Sequence, residues 1–307
     1  MTEQYVSVPT LRQDIIEDVY TGLNWAPDSW LRTLFRPLTW LGAHQFAKLC
    51  SRFDREVADS GIVSAMHRML LHFATTVQVS GAEQVPPEGP LLVLANHPGT
   101  FDSIFISAML GRNDLQMLAW GWPMLRRLPA TSRHMIYATD DPHQRMGVFR
   151  AGIRCLKAGE ALLIFPTSDL DPDPDAQPGS VEAFQHWSPS VEMLLRHAPG
   201  TKVQIAIMSG VLVPRFLRHP LARLPESVKG RRTVAELLQM LQQLVLPRSL
   251  TLVPRLSFGR LTTFEELTTG PGVPGIHQGI ITEAETVLVK HMAPPRPAPC
   301  RLEGRPL

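Results

Sequence analysis

The sequence has few cysteines, little net charge and no long apolar run. Three of its 307 residues are cysteine and they lie far apart, which excludes a disulfide framework and suits a reducing compartment. The formal net charge is +2, so there is no electrostatic reason to expect nucleic acid as a partner. No stretch reaches the roughly 18 apolar residues of a spanning helix, and no secretory signal is expected.

Residues 1–80 are predicted to form a helical region with many aromatic side chains. Three of the chain's six tryptophans, Trp25, Trp30 and Trp40, lie there, with Arg32 between them. Tryptophan and arginine on one amphipathic helix are typical of a helix that lies among lipid headgroups, although a helix packed on the protein's own core has the same periodicity. We expect this region to bind the cytoplasmic surface of a membrane as a peripheral or monotopic anchor.

Residues 81–291 alternate between predicted strands and helices. The short apolar runs LLVLA (91–95), ALLIF (161–165) and VQIAIM (203–208) predict buried strands. Helical patterns between them predict an α/β fold with a mixed, largely parallel central sheet flanked by helices. The proline-rich stretch 292–307 is predicted to be a disordered tail.

Two polar patterns have structural explanations. Thr233-Val-Ala-Glu236 has the form of a capping box, which predicts that a helix begins there. The acidic run DLDPDPD (169–175) lacks the glycine and the terminal glutamate of a calcium-binding loop, so we expect a solvated loop. No metal site is predicted.

The stretch LLVLANHPGTFD (91–102) carries the chemistry. His97 follows a buried strand, where α/β folds place their sites, and Asp102 lies in the first turn of the next predicted helix. If the turn brings them together, the carboxylate orients the imidazole and the other ring nitrogen accepts a proton from a nucleophile that the substrate supplies. Polar residues that cap a helix would explain the same pair.

The flanking residues add specificity to this pair. Asn96, His97 and Asp102 match N-H-x-x-x-x-D, an EGP-type loop precedes them, and LKAGEALLIFP (156–166) follows. On these motifs the sequence resembles the glycerolipid acyltransferase family, typified by 1-acylglycerol-3-phosphate acyltransferases, over about residues 80–215.

The resemblance implies that His97 is the general base, that Asp102 orients it, and that an acyl group moves from a thioester to a lipid hydroxyl or amine. The donor is then acyl-CoA or acyl-carrier protein, with no further cofactor, no metal and no covalent acyl-enzyme. The positions that match substrate-binding positions of the family are Asn96, Thr139, Phe165, Pro166, Thr167 and Ser168.

The later family motifs are altered in this sequence. Thr139 stands where the second motif has an arginine, Thr167 where the third has a glutamate, and Gln185 where a later motif has a basic residue. Aspartates are added in the same region. A phosphate group would lose charge-assisted hydrogen bonds here, so we expect an acceptor other than lysophosphatidic acid, with a neutral, zwitterionic or cationic head.

Two other functions fit parts of the sequence. The altered motifs are consistent with a catalytically idle relative that binds lipid or a protein partner. A thioesterase, in which water replaces the acceptor, usually has a G-x-S-x-G nucleophile elbow, and the sequence contains none. The intact histidine–aspartate motif favours an acyltransferase.

Overall fold

A computed structural model describes residues 6–167, 169–225, 227–247, 249–269 and 275–307. The described residues form one mixed sheet of eight strands with helices on both faces. The strands are β1 (Thr76–Ser80), β2 (Leu91–Ala95), β3 (Leu115–Trp120), β4 (Met135–Ala138), β5 (Ala161–Ile164), β6 (Lys202–Ser209), β7 (Arg255–Thr262) and β8 (Cys300–Arg301).

The sheet has the strand order β4-β3-β5-β2-β6-β7-β1-β8. The strands from β4 to β6 are parallel to one another, β7 is antiparallel to β6 and parallel to β1, and β8 is antiparallel to β1. The predicted α/β class with a largely parallel sheet is confirmed. The three predicted strands are β2, β5 and β6, which lie side by side at its centre.

The helices cover both faces of the sheet. They are α1 (Val8–Gly22), α2 (Trp30–Ser60), α3 (Ile62–Phe73), α4 (Asp102–Leu110), α5 (Pro123–Arg126), α6 (Pro129–Ser132), α7 (Pro142–Lys157), α8 (Ser180–Phe184), α9 (Ser190–His197), α10 (Pro214–Leu217), α11 (Val228–Val245), α12 (Phe264–Thr269) and α13 (Ile276–Met292). No helix among the described residues is long and apolar enough to span a bilayer.

Strand β2 shows why the central strands are continuously apolar. All five of its residues are buried. Leu91, Val93 and Ala95 pack into the core beneath α2, α3 and α4, while Leu92 and Leu94 pack into the core beneath α7, α9 and α13. Because successive side chains point to opposite faces and both faces are covered, the strand has no polar side.

The end of the predicted helical region and the predicted tail both join the sheet. Strand β1 pairs with β7, so the predicted helical region 1–80 ends in a sheet strand. In the tail 292–307, which we predicted to be disordered, β8 pairs with β1, and the Leu302 amide donates to the Thr75 carbonyl at 2.9 Å. The edge of β1 offers unpaired backbone groups, and the tail satisfies some of them.

Candidate active site

The His97–Asp102 pair forms at the turn between β2 and α4. His97 Nδ1 lies 3.1 Å from Asp102 Oδ2, and the Gly99 amide donates to the same oxygen at 2.7 Å. The Asp102 side chain is fully buried, whereas that of His97 is 28% exposed. Because Nδ1 faces the carboxylate, Nε2 is the ring nitrogen left for another partner.

The surroundings of the pair shift both of its pKa values. Burial raises the pKa of Asp102 to about 6, although the hydrogen bonds from His97 and Gly99 lower it. Burial opposes a charge on His97, but the hydrogen bond to Asp102 and the charges of Asp102, Glu236 and Asp171 outweigh it and raise the His97 pKa. The acidic groups around His97 therefore favour its protonated, imidazolium form, while burial of Asp102 works against the charge of its carboxylate.

Two neighbours from the loop after β5 hold His97 in place. The Phe165 ring stacks on the imidazole, with 4.3 Å between centroids. The His97 amide donates to Asp171 Oδ2 at 2.9 Å, and the Asp171 amide donates to the His97 carbonyl at 2.8 Å. Both the ring and the backbone of His97 are thus held by the loop that follows β5, the strand next to β2.

Asn96, which we predicted to bind substrate, forms hydrogen bonds with the protein backbone. Asn96 is buried, its Nδ2 donates to the Met208 carbonyl at 2.9 Å, and its Oδ1 accepts from the Met208 amide at 2.7 Å. The side chain therefore joins the ends of β2 and β6, and both of its polar atoms are occupied by the backbone.

The other predicted binding residues lie at different distances from His97. Thr139 follows β4, which is three strands from β2, or about 14 Å at the usual strand spacing. Its hydroxyl accepts from the Asp141 amide. Thr167 is closer, because it lies in the loop after β5, and β5 is the strand next to β2. The Thr167 hydroxyl accepts a hydrogen bond from the Asp169 amide. The Pro166 carbonyl accepts from the Ser188 amide, and Ser168 lies outside the described residues.

The acidic run after β5 is not the solvated loop that we predicted. Asp171 and Asp173 are buried. Asp173 accepts hydrogen bonds from the amides of Gly210, Val211 and Leu212, in the loop that follows β6. These carboxylates accept hydrogen bonds from backbone N–H groups that would otherwise bind solvent, which explains how Asp171 and Asp173 can be buried.

Sequence reasoning missed Glu236. Helix α11 begins at Val228, where the Ser227 hydroxyl accepts from the Gly230 amide, so the predicted capping box lies inside the helix. Glu236 instead accepts a hydrogen bond from the Thr100 hydroxyl at 2.5 Å, in the turn that carries His97 and Asp102.

A helical spacing could have revealed this residue. Arg232, Glu236, Gln239 and Gln243 are all buried, and they recur every three or four residues on the core-facing side of α11. Polar residues at core positions of an otherwise amphipathic helix indicate buried partners, although they do not say which partners.

Comparisons with known proteins show what this chain is similar to. Residues 76–186, which contain the turn, match the family described as Acyltransferase. Uncharacterized proteins of Mycobacterium bovis and Mycobacterium tuberculosis are 29% identical over 119 residues, which is 35% of this chain and only 30% of each relative. The crystal structure of the 1-acyl-sn-glycerophosphate acyltransferase PlsC from Thermotoga maritima aligns over 94% of both chains, with 13% identity and a TM-score of 0.43.

Proposed function

We propose that this protein transfers a fatty-acyl group from a thioester to a lipid hydroxyl or amine, since residues 76–186 match the acyltransferase family. The donor is acyl-CoA or an acyl-carrier protein. The observation that carries the proposal is the contact between the partly exposed His97 and the buried Asp102, at 3.1 Å.

The pair supports a direct transfer. His97 Nε2 accepts the proton of the acceptor's hydroxyl while the oxygen attacks the thioester carbonyl. Asp102 stabilises the imidazolium through Nδ1. When the tetrahedral intermediate collapses, the carbon–sulfur bond breaks and the proton passes from His97 to the leaving thiolate. The products are a lipid ester and a free thiol, and no covalent enzyme intermediate is needed.

The charge of the site supports an acceptor without a strongly anionic head. Asp102, Asp171 and Glu236 all influence His97 electrostatically. Arg232, the buried cation beside them, donates a hydrogen bond to the Leu170 carbonyl. This excess of acidic groups around Arg232 disfavours a phosphate monoester, so we propose a neutral, zwitterionic or cationic head.

Acyl transfer is tested with purified protein, a labelled acyl-CoA and a panel of acceptors that includes lysophosphatidic acid, lysophosphatidylcholine, a glycolipid and an aminolipid. We expect free thiol to appear with a labelled lipid product, and His97→Ala to reduce the rate by about 10²- to 10⁴-fold. The matched control is His197→Ala, at an exposed histidine on α9.

Three outcomes would contradict parts of this proposal. If the folded His97→Ala variant transfers acyl groups at a near-normal rate, His97 is not the general base. Lysophosphatidic acid as the best acceptor by a clear margin overturns the proposed head group. Thioester binding without turnover on any acceptor identifies a catalytically idle relative.

We further propose that α2 contacts a membrane surface. Trp30 is 70% exposed and Leu34, one turn later, is 59% exposed, with Leu38 exposed a further turn along. Such an apolar stripe is typical of a helix lying at a lipid interface. Trp25 differs, because it stacks on Tyr20 at 5.7 Å and so packs within the protein.

Flotation with vesicles of phosphatidylcholine and phosphatidylglycerol tests this contact. We expect Trp30→Ala/Leu34→Ala to weaken binding, while Val289→Ala, at an exposed apolar position on α13, leaves it unchanged. If both variants float to the same extent as the parent protein, α2 does not contact the membrane.

A further inference from the structure

Helix α11 places a row of buried polar side chains against the loops that form the site. Gln239 contacts the loop after β6, where its Nε2 donates to the Val211 carbonyl at 2.7 Å and its Oε1 accepts from the Val213 amide at 2.8 Å. Arg232 donates to the Leu170 carbonyl, in the loop after β5. Glu236, between them on the helix, contacts the turn after β2 through Thr100.

One helix therefore contacts the loops that follow β2, β5 and β6, the three adjacent strands at the centre of the sheet. The turn between His97 and Asp102 has little regular structure of its own, since α4 begins only at Asp102. Thr100 lies inside this turn, and its hydroxyl is held at 2.5 Å by Glu236. A side chain on a rigid helix thus fixes the segment that sets the distance between the two catalytic groups.

We propose that Glu236 is a positioning residue of the acyl-transfer site: it holds the His97–Asp102 turn through Thr100 and adds a negative charge near His97. This inference rests on the proposed function. It concerns a helix outside the segment that matches the acyltransferase family, which ends at residue 186.

The charge on Glu236 has a role separate from the hydrogen bond. A neutral glutamine could accept the same bond from Thr100. The carboxylate is buried, and its Oε1 has no hydrogen-bond partner among the described residues, which is unfavourable for a charged group. The ionisable groups that influence it are Asp102, His97 and Arg232. A negative charge there stabilises the imidazolium that forms when His97 accepts a proton.

Thr100→Val tests the hydrogen bond separately from the charge, because it removes the donor and keeps the carboxylate. Thr100→Ser is its matched control, because it keeps a hydroxyl donor. We expect Thr100→Val to reduce kcat by about 10- to 100-fold with little change in the KM of the thioester, because the reacting groups are misplaced after binding. Thr100→Ser should recover most of the rate.

Glu236→Gln keeps an acceptor for Thr100 and removes the charge. We expect the pKa of His97, followed by NMR of ¹³C-labelled histidine and assigned with His97→Ala, to be lower than in the parent protein. We also expect the acidic limb of the rate profile to move to lower pH with it. The matched control is Gln242→Ala on the same helix, where the side chain contacts Arg215 and Ser249 instead of the site.

The results distinguish this inference from the proposed function. Parent protein without turnover contradicts the proposed function, while the NMR titration still tests the influence of Glu236 on His97. The positioning role would be overturned if Thr100→Val lowered the melting temperature and left kcat unchanged. It would also be overturned if Glu236→Gln left the pKa of His97 unchanged.

Discussion

Two buried polar clusters lie at the same edge of the sheet, and they are built in opposite ways. The site cluster contains His97, Asp102, Arg232 and Glu236. The support cluster contains Asp175, Ser209, Arg255 and His291. Ser209 ends β6 and pairs in register with Arg255, which begins β7, so the support cluster is one strand further along the sheet than the turn after β2.

Every polar side-chain atom of the buried support residues has a partner. Arg255 forms two hydrogen bonds with the Asp175 carboxylate, at 2.6 and 3.1 Å, and a third with the His291 carbonyl. Ser209 contacts Asp175 at 2.7 Å and His291 Nε2 at 2.8 Å. His291 Nδ1 contacts Ser257 at 2.8 Å.

The site cluster leaves polar atoms without partners. Asp102 Oδ1, Arg232 Nε and Glu236 Oε1 are buried and form no hydrogen bond with the protein groups that the structure describes. The pKa values follow the same contrast. Burial raises the pKa of Glu236 to about 7, whereas the hydrogen bonds from Arg255 and Ser209 outweigh burial and lower the pKa of Asp175.

The contrast teaches that buried charge serves two purposes in this fold. A fully paired network holds its residues in one arrangement. An incompletely paired one costs stability, and under the proposed function it lies where groups change charge during the reaction. Substitutions in the support cluster should therefore reduce stability, and those in the site cluster should mainly reduce activity.

The largest expected effect is on activity, from Asp102→Asn. The amide no longer stabilises the imidazolium and can hold the wrong tautomer of His97, which costs about 10⁴-fold in serine proteases. We expect a loss of 10²- to 10⁴-fold in acyl transfer, with a free energy of unfolding no lower than that of the parent protein, because a buried charge is removed. Thioester turnover and urea unfolding measure the two quantities. A large loss of stability here would place Asp102 with the support cluster.

Arg255→Leu should have the next largest effect, on stability. It leaves Asp175 without its main partner, and removing one member of a buried ion pair costs about 3–5 kcal/mol. Urea unfolding at pH 7 measures this change in the free energy of unfolding. In the absence of urea, the folded variant should transfer acyl groups at nearly the rate of the parent protein. A rate as low as that of Asp102→Asn, without loss of stability, would show that the two clusters act together.

The sequence predicts the centre of the fold better than its connections. The apolar runs that became β2, β5 and β6 are local signals, and so is the five-residue spacing of His97 and Asp102. The partners of these residues are distant in sequence: Glu236 is 136 residues from Thr100. Periodicity indicates that such a residue is buried, and only the packing of α11 on the sheet decides what it contacts.

The misassigned capping box and acidic loop have the same cause. Ser227 and Thr233 are equally suitable as helix N-caps by residue type, and the tertiary contact of Glu236 is not visible in the local pattern. Asp173 can be buried because it accepts hydrogen bonds from backbone amides of a loop more than thirty residues away. Composition alone predicts exposure for such a run.

Glu236→Gln sharpens the comparison through pH. The pKa of Glu236 is about 7 in the folded protein and near 4.5 when unfolded, so the folded state binds more protons between these values and loses stability as pH rises. The variant lacks this titration. From pH 4.5 to 7.5 its free energy of unfolding should therefore gain on the order of 3 kcal/mol relative to the parent protein. A difference that does not change with pH would contradict the unfavourable burial of this charge.

His291→Gln should show the smallest effect, with the opposite sign. Burial, aided by the charge of Arg255, lowers the pKa of His291 to about 4, against an ordinary value near 6.5. The unfolded chain therefore binds more protons between these values, and the parent protein loses stability as pH falls from 6.5 toward 4. At pH 5.5 this loss is about 1.4 kcal/mol relative to pH 7.5, and the glutamine variant does not have it. Urea unfolding of both proteins at the two pH values measures the difference. If the variant and the parent protein lose stability equally, His291 is charged in the folded state, and the support cluster is not the fully paired counterpart of the site cluster.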